Sequence, residues 1–343
     1  MNTEDEFTPR RIRSKERIPY IDSLKGLAIL LVVMGHVLAC YHNDFNQALS
    51  VDSNSMILWK FIYGFHMPLF LFLSGFVFNI SSIQISFSNV FFKIKKNFKR
   101  LIVPYVSMGV VYFVLLGNTD GYWYLYVLFI FCTIISLLNW LLGRFKWWNS
   151  STGSIVLLCV SFIAKYFFCK LHSYEILPIL DWGHFALFFY FCLGIVFRKH
   201  KLDLYIQRNA FVYNLLLISF FISFLSKFRI GFSFPDKLDV YAISATIIIF
   251  ILFSKVRQDC TNVVLRFFNE IGKKTLEIYL LHFFFLAKIP LFGSFLDSID
   301  SKISIILQLL SSTFCALLII GLNCLICKIV EPADVVRKLF FGK

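Results

Sequence analysis

The chain has 343 residues, of which 58% are hydrophobic and 19% aromatic, with a mean hydropathy of +0.74 and a formal charge of +14. No ordinary soluble domain hides so much apolar surface in one core, so composition excludes a soluble protein and leaves an all-α, multi-span membrane protein. The charge is no nucleic-acid footprint, because its distribution along the chain reads as membrane orientation, and no nucleic-acid partner is expected.

The first twenty residues, MNTEDEFTPRRIRSKERIPY, are polar and basic. No short apolar core with a small-residue cleavage site follows, so a cleaved signal peptide is not expected. Apolar runs long enough to span a bilayer then fall near 21–40, 57–79, 101–116, 122–143, 152–171, 183–197, 210–227, 239–254, 275–292 and 303–327. Ten spans make one membrane domain over 21–330, followed by a tail at 331–343. On this map 26 of the 34 Lys and Arg lie on the side of the amino terminus. The asymmetry predicts both termini in the cytoplasm.

The first span, DSLKGLAILLVVMGH within 22–36, carries Asp22 and Lys25 at its start and His36 further in. Ionisable groups at such positions are expensive unless they pair or function. Helical periodicity puts Asp22, Lys25, Ile29, Val32 and His36 on one stripe. Lys25 lies about 16 Å along the axis from His36, a spacing that predicts a charge near the surface and an imidazole at mid-depth facing one cavity. Asp22 is too distant to orient His36, so it is expected to pair with Lys25 or Arg17.

The second span contains FHMPLFLFLSGFVF at 65–78. His66 enters from the opposite side and reaches a depth comparable to that of His36. Pro68 removes a helical hydrogen bond beside it, and Ser74 with Gly75 permits close packing. The basic run at 91–105, FFKIKKNFKRLIVPY, leads into the third span and reads first as a grip on anionic lipid headgroups. Lys96 and Arg100 share a helical face and, with Lys99, also suit the phosphates of a soluble cofactor.

At the outer face, Trp123, Tyr124 and Tyr126 in GYWYLY read as an interfacial aromatic belt. Together with Asp181, Trp182 and His184 of DWGH, Trp123 and Tyr124 also suit stacking on, and hydrogen bonding to, a sugar ring. The ninth span, IGKKTLEIYLLHFFF at 271–285, places Glu277, Tyr279 and His282 in the bilayer. Tyr279 and His282 share a face, and Glu277 is expected to neutralise a nearby base. Most of the nine cysteines fall in apolar stretches and read as packing residues. Cys324 and Cys327 have no second pair, and the histidine spacing offers no metal-ligand set.

Taken alone, these buried polar groups fit an enzyme, or a transporter or flippase in which His36, His66, His282 and Glu277 form a proton or substrate path. The ordered series DSLKGLAILLVVMGH, FHMPLFLFLSGF, KRLIVPY and IGKKTLEIYLLH, however, resembles acyltransferase family 3, the bacterial integral-membrane O-acyltransferases, over essentially the whole chain.

The resemblance implies a ten-helix enzyme of the bacterial inner membrane. It would move an acyl group, commonly acetyl, from cytoplasmic acyl-CoA to a hydroxyl of a cell-surface glycan or lipid-linked sugar. The family's basic residue and histidine in the first span correspond to Lys25 and His36, and its basic pair before the third span to Lys96, Lys99 and Arg100. Lys25 keeps the charge but lacks the bidentate fork of Arg. A neutral imidazole suits abstraction of the alcohol proton, which assigns His36 as base. His66 is left with three roles: binding the acceptor, stabilising the oxyanion, or carrying the acyl group transiently. No metal is required.

Overall fold

The first helix, α1 (Pro19–Ala39), starts on a proline, whose missing N–H costs little in a first turn, and runs through the apolar stretch without interruption. The second expected span is split into α2 (Ile57–Tyr63) and α3 (His66–Val77). Pro68 explains the split: in an unbroken helix its ring would press on the Gly64 carbonyl, whereas in the first turn of a new helix it is accommodated. This computed structural model describes residues 19–42, 54–78, 87–117, 121–173, 181–227, 239–256 and 262–342. Arg17 lies outside them.

The basic run before the third span is no loop. It forms α4 (Phe87–Asn97), which continues through a π turn at Phe98–Ile102 into α5 (Val103–Leu116). The π turn follows from Pro104, which offers no donor and would crowd the Arg100 carbonyl in regular α geometry. Then come α6 (Trp123–Leu142), α7 (Ser151–Ser173), α8 (Phe188–His200), α9 (Ala210–Lys227) and α10 (Val240–Lys255).

The stretch before the ninth span contains an amphipathic helix, α11 (Val263–Lys273), capped by the Asn262 side chain and packed on α1. The ninth span itself is bent by 90° between α12 (Thr275–Leu281) with its 3-10 extension (His282–Phe285) and α13 (Pro290–Ser298). The long α14 (Ser301–Val330) follows. The expected tail forms α15 (Asp334–Phe341), which packs against α5.

The molecule is thus all-α and polytopic, with no strand among the described residues. Every expected span coincides with helix, but not every helix is long enough to cross by itself. Among the described residues, seven pass by length and apolarity, eight if α12 and α13 count as one bent span, while α8 and α10 have 13 and 16 residues. Apolar runs report which segments enter the membrane, whereas breaks decide which of them cross straight.

Two helix crossings bring backbone against backbone. A Cβ on Gly26 would lie 2.0 Å from the Phe268 carbonyl oxygen, and one on Gly272 would lie 1.7 Å from that of Asp22, so α1 and α11 touch at glycines on both sides. The α3–α8 crossing repeats the device through Gly75, at 1.9 Å from the Phe191 oxygen, and Gly194, at 2.0 Å from that of Phe72. Without a hydrophobic drive between helices in lipid, such close van der Waals contact is a main source of association. Gly194→Leu is expected to destabilise the fold by about 3 kcal/mol, the upper range for overpacking. Gly109→Leu, with nothing within 4 Å of its added Cβ, should melt like the wild type. Thermal denaturation monitored by size-exclusion in detergent distinguishes the two.

Candidate active site

Three histidines far apart in sequence form a chain in which Tyr63 touches His36 and His66, and His36 touches His282. The Tyr63 hydroxyl lies 3.3 Å from His36 Nδ1, and its ring centroid is 4.5 Å from that of His66. The His36 ring is in turn 5.2 Å from His282 and 5.0 Å from Phe283, centroid to centroid. Each histidine stands where a helix ends or breaks: His36 in the last turn of α1, His66 at the first residue of α3, His282 at the passage from α12 to the 3-10 turn. His36 therefore sits at the far end of its helix rather than midway along it.

Tyr63 approaches closely because Gly35 leaves room. A Cβ there would fall 2.6 Å from the tyrosine ring. Trp59 stacks on the other face of the arrangement, 4.0 Å from Tyr63 between centroids.

The bent segment is pinned from two sides. Tyr122 donates to the Leu280 carbonyl at 2.8 Å, Tyr279 donates to the Gly121 carbonyl at 2.7 Å, and the Ile289 N–H donates to the Cys40 carbonyl at 2.7 Å. The Tyr122 and Ile289 bonds satisfy backbone groups at the break, as an apolar surrounding demands, and the Tyr279 bond ties the segment to the start of α6.

Hydrogen bonding assigns two of the tautomers. His66 Nδ1 faces the Ile62 carbonyl at 3.1 Å, and His282 Nδ1 faces the Tyr279 carbonyl at 2.8 Å. A carbonyl only accepts, so each Nδ1 carries the proton and each neutral ring presents a basic Nε2. His282 Nε2 is buried without a hydrogen-bond partner among the described residues. His66 and His282 are 2% and 0% exposed, whereas His36 remains partly exposed. Of the three residues, only His36 is not fully buried.

The remaining predicted residues divide. Trp123 stacks on His184 with centroids 3.8 Å apart and planes 5° off parallel, and Asp181 reaches His184 Nε2 at 3.3 Å. Trp182 stacks on Phe168 instead. Tyr124 does not join this outer group: it is buried, with its hydroxyl 2.7 Å from Ser74 Oγ and its ring against Tyr279, because one helical step turns it about 100° from Trp123 toward the core. Glu277 is buried in α12.

Asp22 pairs with Lys25 at 3.4 Å. Between Lys25 and His36 the stripe is packed shut, since Ile29 and Val32 are 0% and 2% exposed, so the two ends do not share one open cavity along that face. Lys96, Lys99 and Arg100 are exposed on α4 and the π turn, and Gly342 after α15 packs on the Arg100 backbone.

The family model for an acyltransferase domain, that of acyltransferase family 3, matches residues 18–326. The chain belongs to acyltransferase family 3. Neither a curated protein nor a solved structure matches it. The protein is therefore a membrane acyltransferase, and the transport reading has no comparable support.

In this acyltransferase, sequence reasoning missed Tyr63 and His172, whose Nδ1 lies 3.1 Å from Asp181. Tyr63 precedes His66 by three residues, a helical spacing visible in the sequence, but the intervening break hid the fact that it faces His36 as well. Tyr63→Phe keeps the ring stacking and removes only the hydroxyl bonded to His36. The expected result is a protein that melts within a few degrees of the wild type and transfers acyl groups about tenfold more slowly, the scale of one lost hydrogen bond at the reacting group. Parallel melting curves and transfer rates check it.

Proposed function

We propose that this acyltransferase moves an acyl group, acetyl in the first instance, from cytoplasmic acyl-CoA to a hydroxyl of a cell-surface glycan or lipid-linked sugar in the bacterial inner membrane. The observation that carries the reading is the meeting of three neutral-capable imidazoles at helix breaks, with His36 alone partly exposed. Acyl transfer to an alcohol needs a base for the hydroxyl proton and donors for the oxyanion, and it needs no redox group.

In this mechanism His36 donates its Nδ1 proton to the Tyr63 oxygen, which leaves Nε2 free to take the proton of the acceptor hydroxyl. The alkoxide oxygen attacks the thioester carbonyl and forms the new C–O bond. The C–S bond then breaks, and the imidazolium returns its proton to the departing thiolate. Tyr63 keeps its own O–H and supplies a donor toward the oxyanion.

The tautomers narrow the part of His66. With its proton committed to the Ile62 carbonyl, the neutral ring cannot donate from Nε2, so an oxyanion-binding role is disfavoured. Its lone pair suits acceptor binding or transient acyl carriage. Lys25, Lys96, Lys99 and Arg100 are assigned to the anionic part of acyl-CoA. The outer group of Trp123, Asp181, Trp182 and His184 is assigned to the sugar, whose ring stacks on aromatic faces.

The decisive assay incubates the protein in lipid nanodiscs with radiolabelled acetyl-CoA and a cell-envelope glycan fraction. Label should enter the glycan with wild type and fall by roughly a hundredfold or more with His36→Ala, the scale of a lost general base. Full labelling by the variant would remove His36 from the mechanism. Lys25→Ala and Arg100→Ala should each raise the acetyl-CoA concentration needed for half-maximal rate, at nearly unchanged maximal rate. A concentration dependence identical to wild type in both would refute the assignment of the basic residues.

A further inference from the structure

Asn323 stands out among the buried polar groups that the mechanism does not use. It lies on α14 and is 0% exposed, and neither its Oδ1 nor its Nδ2 has a hydrogen-bond partner among the described residues. A carboxamide buried in this way costs stability, so an apolar side chain of similar size would serve a purely packing role better.

Its level in the membrane follows from the register of α14 against α1. Tyr41 bonds Ser311 at 2.8 Å, and Thr313 Oγ1 approaches Met34 Sδ at 3.9 Å, so the helices run antiparallel. Ten residues beyond Thr313, about 15 Å at the helical rise, lies Asn323. Nine residues before Met34, about 14 Å in the same direction, lies Lys25. The Tyr41–Ser311 contact, counted the same way, puts Asn323 level with Ile29, so Asn323 lies between the levels of Lys25 and Ile29, toward the end of the bundle nearer the amino terminus. The neighbouring Cys324 is within electrostatic reach of Lys274, Glu277 and Lys328, which places two lysines and a buried carboxyl group near the same level. Helices α1, α12 and α14 pack on one another, so Asn323 is enclosed by the same helices that carry His36 and His282.

We propose that the Asn323 carboxamide is a docking group for a secondary amide in the arm of the thioester donor. This rests on the acyl-CoA reading above and extends it from the phosphates to the arm. A carboxamide offers an acceptor and donors without charge, the complement of a peptide-like amide, whereas phosphates call for the cations around it. A donor held by its phosphates near Lys25 would lay its arm past Asn323 on the way to His36.

The test measures binding of CoA, and of the adenosine bisphosphate fragment that lacks the arm, to protein in nanodiscs. Asn323→Leu should weaken CoA binding about tenfold, leave the fragment unchanged, and give unliganded protein a melting temperature equal to or a few degrees above wild type. Lys25→Ala should weaken both ligands. Equal CoA affinity in wild type and variant, or equal weakening of CoA and fragment, would overturn the proposal and make Asn323 a structural residue. If wild type itself fails to bind CoA, the donor reading falls, and this inference falls with it. Should the leucine variant fail to fold, Asn323→Ser carries the same comparison with a smaller, still polar side chain.

Discussion

Backbone polar groups inside an apolar surrounding have to find partners within the protein, and this constraint shapes the site of this acyltransferase. A broken helix exposes N–H and C=O groups that lipid cannot satisfy, so breaks survive only where protein wraps them or where they line a polar space. The break at Gly64 and Phe65 and the bend after Leu281 both lie beside the end of α1. Tyr122 and the Ile289 N–H pair freed groups of the bend, and Tyr279 ties it to the Gly121 carbonyl. The histidines can approach one another because His66 and His282 stand at these irregular points and His36 in the last turn of α1.

The same backbone sets the chemistry of the rings. Carbonyls of Ile62 and Tyr279 hold the Nδ1 protons of His66 and His282, so both rings offer a lone pair at Nε2. His36 differs, because its Nδ1 partner is a hydroxyl that both donates and accepts. In the proposed mechanism its Nδ1 also keeps a proton, so all three rings offer a lone pair at Nε2, and what separates His36 is its partial exposure together with a hydroxyl neighbour that has a donor of its own.

Packing separates the two ends of α1. Ile29 and Val32 are sealed into the core, so the stripe from Lys25 to His36 is a buried seam and no open groove runs along it. The close crossing with α11 through Gly26 and Gly272 holds the Lys25 end, while Gly35 lets Tyr63 reach the His36 end. On the proposed reading, a donor anchored by charge at one end of α1 and reacting at the other would pass along a side of the helix other than this sealed stripe.

Much of this was legible in the residues. Forty-three phenylalanines and ten apolar runs determined a polytopic helical membrane protein, and the histidines at 36, 66 and 282 stood out because ionisable side chains are costly in such segments. The pairing of Asp22 with Lys25 also followed from helical spacing, a purely local relation. The sequence did not show that Tyr63 links two of the histidines, that Tyr124 is drawn into the core against Ser74 and Tyr279, that the ninth span bends, or that Asn323 lies near the Lys25 end of α1. Each of these depends on how separate helices cross. Periodicity determines which side of a helix a residue occupies, but what lies opposite that side is decided by breaks, glycine contacts and interhelical register, and those exist only once the chain has folded.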